Sequence, residues 1–306
     1  MQLATFEAAR LFYENAPNTH TGLIDPKWVV QGLREMEVPK RNLFHHISAL
    51  TFIGMSTLEA LLSNKPRHYA TPGRTAPENR LWSFDRLSNG LREFKNGRAT
   101  HQAVNRIYHH SFGSYSDKSW QDTVDAVCQD LTFGTDHALG LICRFRIIET
   151  LMRRLLASGK VRLLGSIACG AADATISAIN AAAYRGKEIH TGFFDINEAA
   201  LNSAENTFSG IMRQRNPNLG RFFLTNVLKN QNWFSRLPMQ GLELTGLIDY
   251  IPNDKLPGFL RSLRNPELKF LVTCNILKKP GFTGWYERLF IKHALQWPMY
   301  LSLIHI

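Results

Sequence analysis

The spacing of apolar residues changes once along the chain, near residue 159, and the change divides it in two. Up to about residue 158, apolar positions recur three and four apart wherever a period can be read, as in 27–37, 43–62, 85–95, 119–131 and 138–156, which predicts amphipathic helices. The opening stretch MQLATFEAARLFYENA reads as another such helix. The loop NKPRHYATPGRTAPEN (64–79) has the Pro, Gly and Asn expected of a connection between helices. A long helix then ends near Ser158 and Gly159 with basic residues in its last turns, where they suit the helix dipole.

Beyond Gly159 the pattern alternates between strand-length apolar runs and amphipathic helices. KVRLLGSIA, EIHTGFFDI, GRFFLTNV, LELTGLIDY and LKFLVTCNI read as strands. DATISAINAAAY, EAALNSAENTFSGIMRQ and a segment around 254–264 read as helices. That alternation predicts a doubly wound α/β domain whose mostly parallel sheet is covered on both faces. The expected organisation is an all-helical N-terminal region over 1–136, serving as a lid or acceptor pocket, and an α/β domain over 137–300.

Ligands of such sheets bind beyond the carboxyl ends of the strands, and the first strand-to-helix turn is the usual contact. Here that turn is SIACGAA, in which Ala168, Gly170, Ala171 and Ala172 let backbone approach a ligand closely. GSIACGAA has the two-glycine spacing of a phosphate loop but puts Ala171 and Ala172 where Lys and Ser/Thr must hold phosphate and magnesium, which excludes a nucleoside triphosphatase. The G-x-G-x-x-G of a dinucleotide site is also missing, since Gly170 stands alone in that window. Asp195 follows the second strand, 25 positions beyond Gly170. It either accepts both hydroxyls of a ribose or caps the helix that starts near Asn197, and its place at a strand end favours the ribose.

These residues resemble the class I S-adenosylmethionine-dependent methyltransferases over roughly 137–300. LLGSIACGAADA is similar to their first motif, with Ala168 and Ala172 where glycines are common and Ser166 where many relatives carry an acid. GFFDINEAAL is similar to the second motif. The resemblance implies a Rossmann-like fold, S-adenosyl-L-methionine as cofactor, and a cofactor site drawn from Ser166, Ala168, Gly170, Asp195, Ile196, Asn226 and Val227, with Asn226 and Val227 nearest the adenine. A narrower likeness rests on CRFRIIETLMRRLL, LTGLIDYIP, and TCNI followed by WYERLFIKHALQWPMY. Together these resemble bacterial methyltransferases of 3-hydroxypalmitic acid methyl ester biosynthesis.

Methyl transfer from a sulfonium is an in-line displacement, so little catalytic machinery is needed beyond alignment and exclusion of water. A carboxylate acceptor needs no base, whereas a hydroxyl or amine does. Asp249 and Tyr250 are the candidates for orientation or proton removal, or else they close a turn before Pro252. One of Arg144 and Arg146 reaches a carboxylate of cofactor or substrate in the functional reading. Trp285, Tyr286, Trp297 and Tyr300 either wall an apolar acceptor pocket or pack a helix on the sheet.

Composition narrows the partners only slightly. The net charge of +11 is spread as +3 over 1–125 and +8 over 126–306, which suits an anionic ligand, RNA or a membrane surface, yet no dense basic run occurs. RNA methylation stays an alternative, although LIDYIP is not an Asn/Asp-Pro-Pro-Tyr loop built to stack a base. A catalytically silent module of this fold, used for protein binding, is a third reading. Four scattered cysteines and two His-His pairs without partners at ligand spacing suggest a reducing cytoplasm and no metal. The greasiest segment, 43–62, carries His45, His46 and Glu59, which fits a buried helix of a soluble domain rather than a membrane span. The last six residues, LSLIHI, are the translation of a transposase end used in preparing sequencing libraries. The expectation is therefore a truncated chain with an adapter-derived tail over 301–306 and without the sixth and seventh strands of a complete sheet.

Overall fold

The structure is a computed structural model. It describes residues 5–16, 101–116, 118–134, 136–212, 219–248, 251–252 and 254–274, together with single positions and short helical pieces between 27 and 54 and Ser88. Two compact units emerge. One joins Met1–Glu37 to Arg144–Ile276 and takes in Tyr300–Ile306; the other comprises Val38–Cys143 and Leu277–Met299.

The first unit holds α1 (Phe6–Glu14) and a parallel sheet of five strands. The strands are β1 (Leu163–Ile167), β2 (His190–Asp195), β3 (Gly220–Leu224), β4 (Gly241–Thr245) and β5 (Phe270–Cys274), in the order β3-β2-β1-β4-β5. All four pairings are parallel, so the sheet winds outward in both directions from β1 and β4. Two of the three helices expected beyond Gly159 come out as α5 (Asp173–Tyr184), which follows β1, and α6 (Glu198–Met212), which follows β2. α7 (Leu256–Ser262) links β4 to β5.

Alternation along the strands builds a core on each face. Leu164, Phe193 and Val272 point to one face, where Met152, Leu155 and Leu156, Ile176 and Ile179 of α5, and Leu201 and Phe208 of α6 cover them. Leu163, Ile167, Phe194, Leu242 and Leu244 point to the other, under α1, α7, Phe234 and Met239. Neighbouring strands are tied by two stacked cross-strand pairs, Phe193 with Phe222 at 4.8 Å and Phe194 with Phe223 at 4.9 Å, one on each face. On the first face β4 offers no apolar side chain at all: its positions there are Gly241, Glu243 and Thr245.

α1 belongs to this unit. Thr5 caps it, accepting from the Ala8 N–H at 3.2 Å. Its buried Tyr13 reaches the middle of the sheet, where the hydroxyl donates to the Leu164 carbonyl (2.6 Å) and accepts from the Gly192 N–H (3.0 Å). A Cβ on Gly192 would lie 2.5 Å from that hydroxyl, so residue 192 is glycine because the phenol occupies its space.

Besides the short helical pieces between 43 and 54, the described helices of the second unit are α2 (His101–Tyr108), α3 (Trp120–Phe133) and the start of α4 (Asp136–Ala157), whose last part, from Arg144, belongs to the first unit. Ser119 caps α3, accepting from the Asp122 N–H. Buried Asp130 anchors the turn that follows α2: it accepts from His110 Nε2 (2.6 Å), the Gly113 N–H (3.0 Å) and the Tyr115 hydroxyl. His110 lies edge-on to Phe112 and Phe133. Among the described residues no helix is long and apolar enough to cross a membrane, and no group of three His, Cys, Asp or Glu could hold a metal.

Candidate functional site

The strand order reverses between β1 and β4, and the connection leaving β1 there is Ala168–Ala172. Three of its five residues are left-handed: Ala168 (φ 50°), Gly170 (φ 56°) and Ala172 (φ 56°). Glycine adopts that backbone freely, whereas an alanine Cβ meets the carbonyl that follows. Ala172 is also the N-cap of α5 and caps nothing with its side chain. The loop is pinned at both sides: the Cys169 N–H donates to the Phe194 carbonyl at 3.2 Å, and the Gly170 N–H to Asp195 Oδ2 at 2.8 Å.

Asp195 is buried at the end of β2, and its other oxygen, Oδ1, accepts from the Asn197 N–H at 2.8 Å. The cap of α6 is Asn197 itself, whose Oδ1 takes the Ala200 N–H. The capping role that sequence left open for Asp195 therefore falls to its neighbour. Asp195 instead ties the first and second strand ends together. Ile196 stands beside it, 67% exposed. At the end of β3, Asn226 Oδ1 accepts from the Lys229 N–H, and the Val227 side chain packs into the core, which leaves main chain at Val227 to meet a ligand.

Ser166, fully buried on β1, is in register with Glu243 on β4 and donates to its Oε2 at 2.5 Å. Thr175 of α5 donates to the same oxygen at 3.5 Å. Arg144 of α4 is only 7% exposed, and its guanidinium packs against Gly246, just past β4, at 3.7–3.9 Å from where a Cβ would be. Arg146 faces solvent. Burial raises the Glu243 carboxyl above its usual range, against the opposing pull of the Ser166 hydrogen bond, of Thr245 nearby and of the Arg144 charge. The Cys169 thiol is pushed well up, first by burial and then by the negative charge of Asp195 and Glu243. The loop thus lies within the field of two buried carboxylates, one on each side.

Glu243 was not singled out from sequence. GLELT reads as an ordinary short strand, and only a lone acid inside an apolar run marks it. Asp249, Tyr250, Trp297, Tyr300 and the tail 301–306 lie outside the described residues.

No protein-family model matches the chain, and no curated protein does. Among solved structures it is similar to magnesium protoporphyrin IX methyltransferase (ChlM) from Synechocystis PCC 6803 with bound SAH, at 15% identity, 70% of this chain, 83% of that one and a TM-score of 0.40. It is also similar to the trans-methyltransferase CalH complexed with SAH (13%, 85% and 81%, TM-score 0.41). A third likeness is to the CMeT domain of the citrinin polyketide synthase (11%, 82% and 70%, TM-score 0.37). A functional reading has to rest on the site's own geometry.

Proposed function

We propose that the α/β unit binds S-adenosyl-L-methionine and passes its methyl group to a small-molecule or lipid-type acceptor, at a carboxyl or hydroxyl group. The observation that carries this reading is the sign of the field at the first strand-to-helix turn. A helix N-terminus at such a turn ordinarily favours phosphate. Here Asp195, Glu243 and Asp173 in the first turn of α5 all oppose an anion. The same charges favour a ligand that is cationic and carries a ribose, and S-adenosyl-L-methionine is both. When bound, it supplies an activated methyl group on a sulfonium.

The residues fit that ligand. Two main-chain N–H groups hold the Asp195 carboxylate at the end of β2, so a ribose meets an acceptor that is already oriented. The apolar, exposed Ile196 next to it suits one face of a purine. Ala168 and Gly170 leave room for backbone to approach the ligand. Arg144 supplies positive charge at the same strand ends for a carboxylate. A carboxylate acceptor arrives ionised at neutral pH and needs only to be positioned, as expected for the fatty acid of the 3-hydroxypalmitate type that the narrower sequence likeness suggests.

Calorimetric titration of the full chain tests this. S-adenosyl-L-methionine and its product S-adenosylhomocysteine are expected to bind, and Asp195→Ala to lower affinity by roughly 1.5–3 kcal/mol, the range for losing charge-assisted hydrogen bonds. Folded protein that binds neither at millimolar ligand refutes the reading. Unchanged affinity in Asp195→Ala refutes the ribose assignment alone.

A further inference from the structure

Glu243 sits where a hydrophobic residue would be the cheaper choice. It is 4% exposed, on a strand whose other face is Leu242 and Leu244, and burying a carboxylate costs several kcal/mol unless a cation compensates. Its hydrogen-bond partners are instead hydroxyls: Ser166 at 2.5 Å and Thr175 at 3.5 Å. Arg144 acts on it through electrostatic attraction, with its guanidinium against Gly246. A second observation lies two residues on, along the same face and at the carboxyl end of β4. The Thr245 Oγ1 is buried and, though it faces Glu243, completes no hydrogen bond of good geometry. An acidic oxygen and an incompletely satisfied hydroxyl, side by side at the ligand end of the sheet, form a receptor for a donor with several hydrogens and a positive charge.

Taking the α/β unit as a cofactor-binding one, as above, we infer that Glu243 is a specificity-determining residue that selects ligands bearing a primary ammonium group. Its carboxylate and the Thr245 hydroxyl accept the ammonium hydrogens. Ser166 and Thr175 hold the carboxylate in place from β1 and α5. Arg144 offsets part of the desolvation cost of Glu243 by electrostatic attraction, and the ligand's ammonium offsets more of it in the complex. Because Ser166 and Glu243 are register partners on one face, the carboxylate can stand on either strand and still occupy nearly the same place.

Two nucleosides that differ at this end separate the possibilities on the full chain. S-adenosylhomocysteine carries the ammonium; 5′-methylthioadenosine keeps the adenosine and thioether and lacks the whole amino-acid end. Wild-type protein should bind the former at least tenfold more tightly. In Glu243→Gln that preference should fall by about 10–100-fold, the range for a hydrogen bond to a charged group, while 5′-methylthioadenosine binds as before. Thr245→Val should lower the preference severalfold, which gives a second reading if the first variant does not fold. The transposed pair, Ser166→Glu with Glu243→Ser, should restore the preference. A preference unchanged in folded Glu243→Gln or Thr245→Val, or affinity lost equally for both nucleosides, overturns the role of Glu243. Wild-type protein that binds neither nucleoside refutes the cofactor reading beneath it.

Discussion

Replacing Ala168 by glycine should make the α/β unit more stable, and replacing Ala172 should not. Both alanines are left-handed, and that backbone costs a residue with a Cβ about 1–2 kcal/mol. Glycine removes the strain, but it frees the unfolded chain by about 0.4–1 kcal/mol. For Ala168, which belongs to neither core cluster, the balance is a gain of about 0.5–1 kcal/mol. Ala172 is buried in the core with Ile176, and losing its methyl group costs about 0.8 kcal/mol more, which brings the balance close to zero. Native-state hydrogen exchange of the β1 and β2 amides reads the stability of this unit separately from the helical one. If Ala168→Gly lowers that stability, or if Ala172→Gly gains more than Ala168→Gly, the account of strain in this loop is refuted.

Three further outcomes follow from the packing. Tyr13→Phe removes the hydroxyl bridging Leu164 and Gly192 and should destabilise the sheet by about 2 kcal/mol, seen as a lower urea midpoint. Gly192→Ala should cost a similar amount, about 1–3 kcal/mol, by overpacking against Tyr13 and Phe194; the double variant with Tyr13→Phe should cost less than the sum, and strict additivity refutes the steric account. Asp130 is subject to burial, which raises a carboxyl, but the hydrogen bonds from His110, Tyr115 and Gly113 outweigh it and the net shift is downward. A lowered folded pKa means the contribution is complete above the unfolded value and is lost as pH falls through the folded one. The helical unit should therefore lose stability below about pH 4, and Asp130→Asn should flatten that acid limb of a thermal-unfolding profile.

The α/β half was legible because its signals are local. Five short apolar runs separated by amphipathic segments leave few alternatives to a covered parallel sheet, and DATISAINAAAY is α5 residue for residue. The loop at Gly170 and the acid at Asp195 were readable for the same reason, since a strand end, small residues and a carboxylate are adjacent in sequence. What sequence hid depends on distance. The period of α1 identifies an apolar face but not the sheet it covers, so the helix was grouped with the N-terminal helices while Tyr13 belongs between β1 and β2. Arg144 and Arg146 were indistinguishable by spacing, and only the turn of α4 against Gly246 separates them. Glu243 acquires its meaning from Ser166, 77 positions away.

The Tyr13 bridge also sets an order in time. Its two partners lie 151 and 179 residues further along the chain. At a synthesis rate of 5–20 residues per second, roughly 10–40 s separate the making of Tyr13 from that of Gly192. For most of that interval, until β1 is made, the helix that will close one side of the sheet has no strand to close upon, and the second unit is made meanwhile up to Cys143. The α/β unit is thus assembled from an early piece and a late one. Its first helix waits on the ribosome as an amphipathic ligand for a surface that does not yet exist, and chaperones that recognise nascent apolar faces have their longest opportunity there.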